Sequence, residues 1–276
     1  MSSTILLTGA TGFIGRKVLD LLLLQDITIV LVIRKHSSRF LPKLRMHDKV
    51  IYTENVFNES DSWWTNICTD VDIVLHLAWY AEHGSYMDSH KNKECLRGSI
   101  SMSEGAIRAK VKKIVGIGTC LEYQISDQRL SIDTPLAPQS LYAKSKTELY
   151  YFLKENSRGR QFIFAWCRIF FIYGDDEPIE KLHSYIKGEL MAGRKVILKY
   201  GNAERDYLHV DLVAISIVNV ALGELDGVFN ICSGISIKIK EVAYQIADEI
   251  GVDKSLIVLE NEIPEFKKIV GVPNLL

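Results

Sequence analysis

The sequence has no long uninterrupted apolar run. Its nearest approach, Val18 to Ile33, is broken by Asp20, Gln25 and Asp26 and is too short to span a bilayer. An excess of one charge is also missing: 33 Lys and Arg stand against 34 Asp and Glu, a formal net charge of −1. That balance removes the global electrostatic case for a nucleic acid or an anionic membrane as partner, so any phosphate must be bound by a local site. Cysteine is sparse. Cys68, Cys95, Cys120, Cys167 and Cys232 are odd in number, widely spaced and form no CxxC pair. This argues against a disulfide framework and a zinc site, and reduced thiols fit a cytoplasmic protein. The seven histidines have no metal-ligand spacing, so no metal is expected. Repeats and low-complexity tracts are absent. Met1-Ser2-Ser3-Thr4 carries neither a basic leader nor a cleavage signal, which again points to the cytoplasm.

What is present is an alternation of two periodicities. Short apolar runs at Ile5–Leu7, Ile27–Ile33, Lys49–Tyr52, Asp72–Leu77, Lys113–Ile117 and Phe162–Ile169 read as strands, and Arg16–Leu24, Glu94–Ala109 and Ser140–Glu155 as helices. Strands in near-continuous apolar runs, separated by helices, imply a buried parallel sheet. After Gly174 the rhythm changes: a helix over Ile179–Ala192, a short strand at Val196–Lys199, a core strand at Val228–Ile231 and a helix over Ile239–Ile250. The expectation is an α/β chain with a Rossmann-type doubly wound parallel sheet and a small C-terminal substrate lobe. Residues 1–174 form the first unit, 205–235 return to it, and 175–204 with 236–276 build the lobe.

The strongest local signal is Thr8-Gly9-Ala10-Thr11-Gly12-Phe13-Ile14-Gly15, which follows a strand and opens a helix. Gly9 and Gly12 permit a tight turn and a close backbone approach to a pyrophosphate, and Gly15 permits close helix packing. The free N–H groups of Thr11, Phe13 and Ile14 then face the phosphates at the positive helix end. At the end of the second strand, where an acidic residue would bind an adenosine ribose, stands Arg34. A guanidinium there suits a 2′-phosphate, with Lys35, Ser37 or Ser38 as further donors. The dinucleotide is therefore read as NADP(H) in preference to NAD(H).

Tyr142-Ala143-Lys144-Ser145-Lys146 places a tyrosine and a lysine at i and i+4 on one helix face. A neighbouring ammonium is expected to lower the phenol pKa and ready it for proton transfer at a carbonyl or alcohol. Thr119, just past the fifth strand, adds a hydroxyl for the reacting oxygen. His76, in a core strand, reads as structural.

Together, the turn TGATGFIG, His76-Leu77-Ala78, Thr119 four residues before Tyr123, and YAKSK resemble the extended short-chain dehydrogenases/reductases, the NAD-dependent epimerase/dehydratase family. Arg205-Asp206-Tyr207-Leu208-His209-Val210-Asp211 resembles the family stretch whose arginine meets the diphosphate of a nucleotide sugar. The resemblance implies Leu77 and Ala78 beside the cofactor, Thr119, Tyr142 and Lys146 as the catalytic set, and Arg205 on the substrate. The polar and aromatic loop after the fourth strand adds Tyr80, His83 and Ser85 as sugar contacts. Three departures narrow the activity. Cys120 and Leu121 occupy the places of the dehydratases' Asp-Glu, and Cys95 occupies that of a helix asparagine. In the stretch said to line the substrate site, this chain reads Arg168-Ile169-Phe170-Phe171. The parts needed for hydride transfer remain, so the expectation is a 4-ketoreductase of a nucleoside-diphosphate 4-keto-6-deoxy sugar. A 4-epimerase of the same fold and a non-catalytic NADP-binding regulator are the alternatives. The resemblance also implies a homodimer paired through the helices near 94–109 and 140–155.

Overall fold

The computed structural model describes residues 3–159, 162–260 and 262–275, without the side chains of residues 39 and 40. The sequence readings that touch Met1, Ser2, Arg160, Gln161, Asn261 and Leu276 lie outside the described residues. Apolar β-branched runs become strands and amphipathic runs become helices, in the order β1 (Thr4–Thr8), α1 (Phe13–Leu22), β2 (Thr28–Arg34), β3 (Lys49–Thr53), α2 (Asp61–Ile67), β4 (Ile73–His76), α3 (Lys91–Arg108), β5 (Lys113–Thr119), α4 (Leu141–Ser157) and β6 (Ile163–Ile169). There follow β7 (Phe171–Tyr173), α5 (Leu182–Met191), β8 (Val196–Leu198), β9 (Glu204–Arg205), β10 (Tyr207–His209), α6 (Val210–Leu222), β11 (Gly227–Ile231), β12 (Ile237–Lys238), α7 (Ile239–Ile250), β13 (Ile257–Leu259) and β14 (Lys268–Ile269).

Seven strands form one parallel sheet in the order β11-β6-β5-β4-β1-β2-β3. The order reverses between β1 and β4, where an α/β sheet opens a crevice at its carboxyl edge. Both faces are covered. Ile5 and Leu7 of β1 pack with Val18 and Leu22 of α1 and with Val213 and Ile217 of α6. Leu6 points the other way, into a core with Trp64 of α2, Met102 of α3 and Leu149 of α4. This explains why the strands read as unbroken apolar runs. The helix α2 was not expected. It is short and aromatic, and it is fixed by the Ser60 hydroxyl, which accepts from Trp63 N at 3.1 Å, and by a fully buried Trp64.

Beyond Gly174, α5, β8, α7 and β13 share a separate core of Ile186, Leu190, Val196, Val242, Ile246 and Ile257. The 205–235 segment splits. Its helix α6 and strand β11 belong with the main sheet, but Arg205 at its start pairs with Ile237 of β12 and Ile269 of β14. The final segment also divides from the expected lobe, because β11 is an edge strand whose free backbone groups need partners. Asn274 supplies them: its Oδ1 accepts from Asn230 N at 2.7 Å and its Nδ2 donates to Val228 O at 2.9 Å. No helix among the described residues is long and apolar enough to cross a membrane.

A polar ladder pins β1, β4 and α3 together. The Ser99 hydroxyl donates to Cys95 O at 2.7 Å, so it must accept from His76 Nε2–H at 2.8 Å. His76 Nδ1 is then the acceptor for the Thr8 hydroxyl at 2.7 Å, and Thr8 Oγ1 in turn accepts from Ala78 N at 3.3 Å. Burial, and secondarily the Lys146 charge, lower the His76 pKa from 6.5 to about 3. The folded state thus holds a neutral imidazole, while the unfolded chain takes up a proton below pH 6.5. Stability contributed by this site is present above pH 6.5 and lost as pH falls toward 3. Between pH 7 and pH 5 wild-type protein should lose about 2 kcal/mol more than His76→Gln. Urea unfolding of both proteins at the two pH values measures the difference.

Candidate active site

The glycine turn closes at the carboxyl edge of β1. Gly9 has φ +76°, and a Cβ there would lie 2.6 Å from Ala78 N, so only glycine lets the turn pass beneath the end of β4. A Cβ on Gly15 would stand 1.9 Å from Gly9 O. Its constraint is therefore the closure of the turn itself, where helix-to-sheet packing was the expectation. Gly12 differs from both. Its φ is −81° and the nearest atom to an added Cβ is Gly9 O at 3.4 Å, an ordinary contact. None of the described residues demands glycine at this exposed position, whereas an approaching ligand would. Helix α1 has no side-chain N-cap and no acidic residue in its first turn, which leaves its amides and positive end free for phosphate. Thr11, Phe13 and Ile14 border this opening half-exposed, and Leu77 and Ala78 form its opposite wall. These residues fit a nicotinamide dinucleotide. Arg34 ends β2 exposed, with no side-chain partner among the described residues.

Thr119, Tyr142 and Lys146 converge. Thr119 ends β5 and caps a short turn: its hydroxyl accepts from Leu121 N at 3.3 Å while its own N–H donates to Glu122 Oε1 at 2.7 Å. Tyr142 lies in the first turn of α4, capped by Ser140, and its N–H donates to Met87 O at 2.8 Å. Burial pushes the Tyr142 phenol well above its usual pKa of 10, reinforced by Tyr86, Glu122 and Cys120 and opposed by a hydrogen bond with Thr119. This corrects the expectation of a phenol readied by its lysine. Lys146 is buried, donates to Ile117 O at 2.8 Å and lies 5.9 Å from the Tyr142 ring centroid. Burial brings its pKa down from 10.5 to about 7, with Cys95 and Glu122 acting the other way.

The loop after β4 supplies different residues from those expected. The Tyr80 hydroxyl donates to Glu82 Oε2 at 2.7 Å and lies 2.9 Å from Ser85 Oγ, so both are engaged within the loop, and His83 is exposed. The rings that reach Tyr142 are Tyr86, edge-on at 4.9 Å, and Trp79 at 6.5 Å. Arg168 does not line a substrate site. It is buried, and its Nε donates to Glu122 Oε2 at 2.7 Å. Glu122 is not among the expected site residues, although Thr119-Cys120-Leu121-Glu122 has the spacing of a capping box. Arg205 is half-buried, with its guanidinium 5.5 Å from the Phe171 ring. It donates to Glu204 O at 2.9 Å, burial lowers its pKa, and no carboxylate pairs with it among the described residues. No group of His, Cys, Asp and Glu among those residues is placed to hold a metal.

The sequence profile of the NAD dependent epimerase/dehydratase family matches residues 5–232. A curated relative, the dTDP-6-deoxy-L-talose 4-dehydrogenase (NAD(+)) of Aggregatibacter actinomycetemcomitans, is 25% identical over 240 residues, covering 83% of this chain and 84% of the relative. The fold is similar to that of the Thermotoga maritima UDP-glucose 4-epimerase solved with UDP-glucose, with a TM-score of 0.85 and 20% identity over 98% of this chain and 90% of that one. It is also similar to Bordetella bronchiseptica WbmG in complex with NAD, with a TM-score of 0.82 and 23% identity over 99% and 86% of the two chains.

The glycine turn yields a paired prediction. Gly12→Ala should keep the wild-type Tm yet weaken binding of the reduced nicotinamide dinucleotide by at least tenfold, whereas Gly15→Ala should lower Tm as well. Thermal melts and fluorescence titration separate fold from ligand.

Proposed function

The chain belongs to the NAD dependent epimerase/dehydratase family, and from this we propose that it reduces the 4-keto group of a nucleoside-diphosphate 4-keto-6-deoxy sugar with NADPH. The carrying observation is a half-buried Tyr142 phenol, held protonated beside Thr119 and Lys146, with Cys120 and Leu121 in place of a second acid–base pair. Water elimination requires that second pair. Ketone reduction requires one proton donor, and the upward pKa supports the phenol in that role. The curated relative is named for chemistry at C4 of a 6-deoxy sugar, in the oxidative sense and with NAD(+). The Arg34 guanidinium, without a side-chain partner among the described residues, favours the phosphorylated dinucleotide here.

A nicotinamide held on the glycine turn supplies the hydride. Tyr142 donates its proton to the alkoxide forming at C4. Thr119 donates a hydrogen bond to the same oxygen and orients the carbonyl. Lys146 holds the nicotinamide ribose and steadies the negative charge left on the tyrosine. Arg205, lacking a carboxylate, takes the sugar diphosphate, which offsets the desolvation of its guanidinium. Positioning of this kind accounts for much of the acceleration. The proposal extends to a cytoplasmic homodimer paired through α3 and α4, on which Tyr151 is exposed.

NADPH oxidation should be followed with GDP-, CDP-, UDP- and dTDP-linked 4-keto-6-deoxy sugars. One of these should turn over, and Tyr142→Phe should lower kcat by roughly 10²–10⁴. Near-normal turnover by that variant would overturn the assignment. Arg34→Ala should raise KM for NADPH about tenfold and leave KM for NADH unchanged. Reduction should weaken as pH rises past about 7, where Lys146 loses its proton. A C4 epimer formed from a nucleotide hexose without added cofactor would instead identify an epimerase.

A further inference from the structure

Lys146 is a buried cation with an unusual set of partners. An ammonium has three N–H donors and no acceptor. One of them goes to Ile117 O at 2.8 Å. No carboxylate lies within ion-pair distance among the described residues, and Glu122, whose charge acts on the lysine, is already bonded to Arg168. Instead, Nζ sits 3.7 Å from the centroid of the Trp79 ring. The negative π-face of indole is the strongest side-chain surface for a cation, and its effect grows as water is removed.

The indole is itself held. Trp79 Nε1 donates to Asn92 Oδ1 at 2.9 Å. Asn92 is fully buried, and its Nδ2 donates to Tyr86 O and to Ser89 O. Both amide ends are therefore engaged, and Asn92 cannot turn without leaving a buried group unpaired. The Phe57 ring meets the indole edge-on at 6.4 Å. The platform under Lys146 is thus fixed from the loop after β4, the start of α3 and the segment before α2.

We propose that Trp79 is a positioning residue: its indole face, locked by Asn92, holds Lys146 as an ammonium between Ile117 O and the Tyr142 ring. The role of Lys146 in reduction rests on the function proposed above; the cation–indole contact does not. Other titratable groups face the lysine from each neighbouring element. They are His76 on β4, Cys95 on α3, Glu122 after β5 and Tyr142 on α4. His76 is neutral and hydrogen-bonded on both nitrogens, Glu122 is paired, and burial keeps the Cys95 thiol and the Tyr142 phenol protonated. Among these described neighbours the indole is the uncharged, non-titrating group in contact with the ammonium, so a change in the lysine's titration reports on that contact.

The test is a titration of Lys146 in cofactor-free protein labelled at lysine Cε and Nζ, with the resonance assigned by its absence in Lys146→Met. Trp79→Leu should move the midpoint down by roughly one pH unit, a tenfold loss of the ammonium at a given pH. Trp79→Phe should move it by less. If Trp79→Leu does not fold, wild-type protein grown on fluorinated tryptophans provides the second measurement. Fluorine drains the π-face while keeping the ring's shape, and the midpoint should fall with each added fluorine. The alkaline limb of the reduction rate should shift by the same amount. An unchanged Lys146 midpoint across these proteins would overturn the proposal, even if turnover fell, because that is the signature of a merely structural tryptophan. An absence of keto-sugar turnover would count against the proposed reaction and leave the titration standing.

Discussion

The ion pair between Glu122 and Arg168 fixes where the chemistry sits. Both side chains are buried, so each charge depends on the other and on the hydrogen bonds around it. The carboxylate accepts from Thr119 N, Trp166 Nε1 and Arg168 Nε. The guanidinium donates to the Tyr123 hydroxyl, which donates to Asn230 Oδ1, and Asn230 Nδ2 donates to Leu130 O and Val272 O. One network thus joins β5, β6 and β11 to the final segment and sets the height of Thr119 above the sheet. A pair of this kind adds little net stability, but losing one partner leaves an uncompensated buried charge and is strongly destabilising. Its geometry also dictates sequence elsewhere. A Cβ on Gly118 would stand 2.3 Å from Trp166 Nε1 and 2.4 Å from Glu122 Oε1, and one on Gly116 would stand 2.4 Å from the Trp166 ring. The glycines of β5 make room for the charge and its indole donor.

The parts of this architecture that were legible in the sequence are those with short-range causes. Continuous apolar runs marked the parallel strands, because a strand covered on both faces has no reason to alternate. The glycine turn announced its helix, and the i, i+4 spacing put Tyr142 and Lys146 on one face. What spacing could not convey was depth. The expected depression of the Tyr142 pKa assumed a charged neighbour in a wet setting, but burial acts on both groups and moves them in opposite senses.

The loop after β4 shows the same limit. Tyr80, His83 and Ser85 looked suited to a sugar because they are polar, yet a polar residue on a short loop is often satisfied by the loop itself, as Tyr80 is by Glu82. Trp79 and Tyr86 are not among the expected site residues, yet they pack against Tyr142 and Lys146; the residues they meet, Asn92 on α3 and the first turn of α4, are brought to them by the fold and leave no local mark in the sequence. Helix α2 was missed for a related reason. Its stability comes from burying Trp64 against α3, a tertiary term that leaves no periodic mark in a seven-residue segment.

The ladder through Thr8, His76 and Ser99 has a consequence for how the pocket handles protons. Every hydroxyl in it donates in one direction and accepts from the other, so the chain of bonds has a single orientation and no proton to spare. Burial has moved His76 down to about 3 and has moved Tyr86, Cys95, Cys120, Tyr123 and Tyr142 upward. Of these neighbours only Lys146 is left near 7. Around neutrality the Glu122–Arg168 pair holds its two opposite charges fixed, and among the groups named here the charge that changes is the single proton of Lys146.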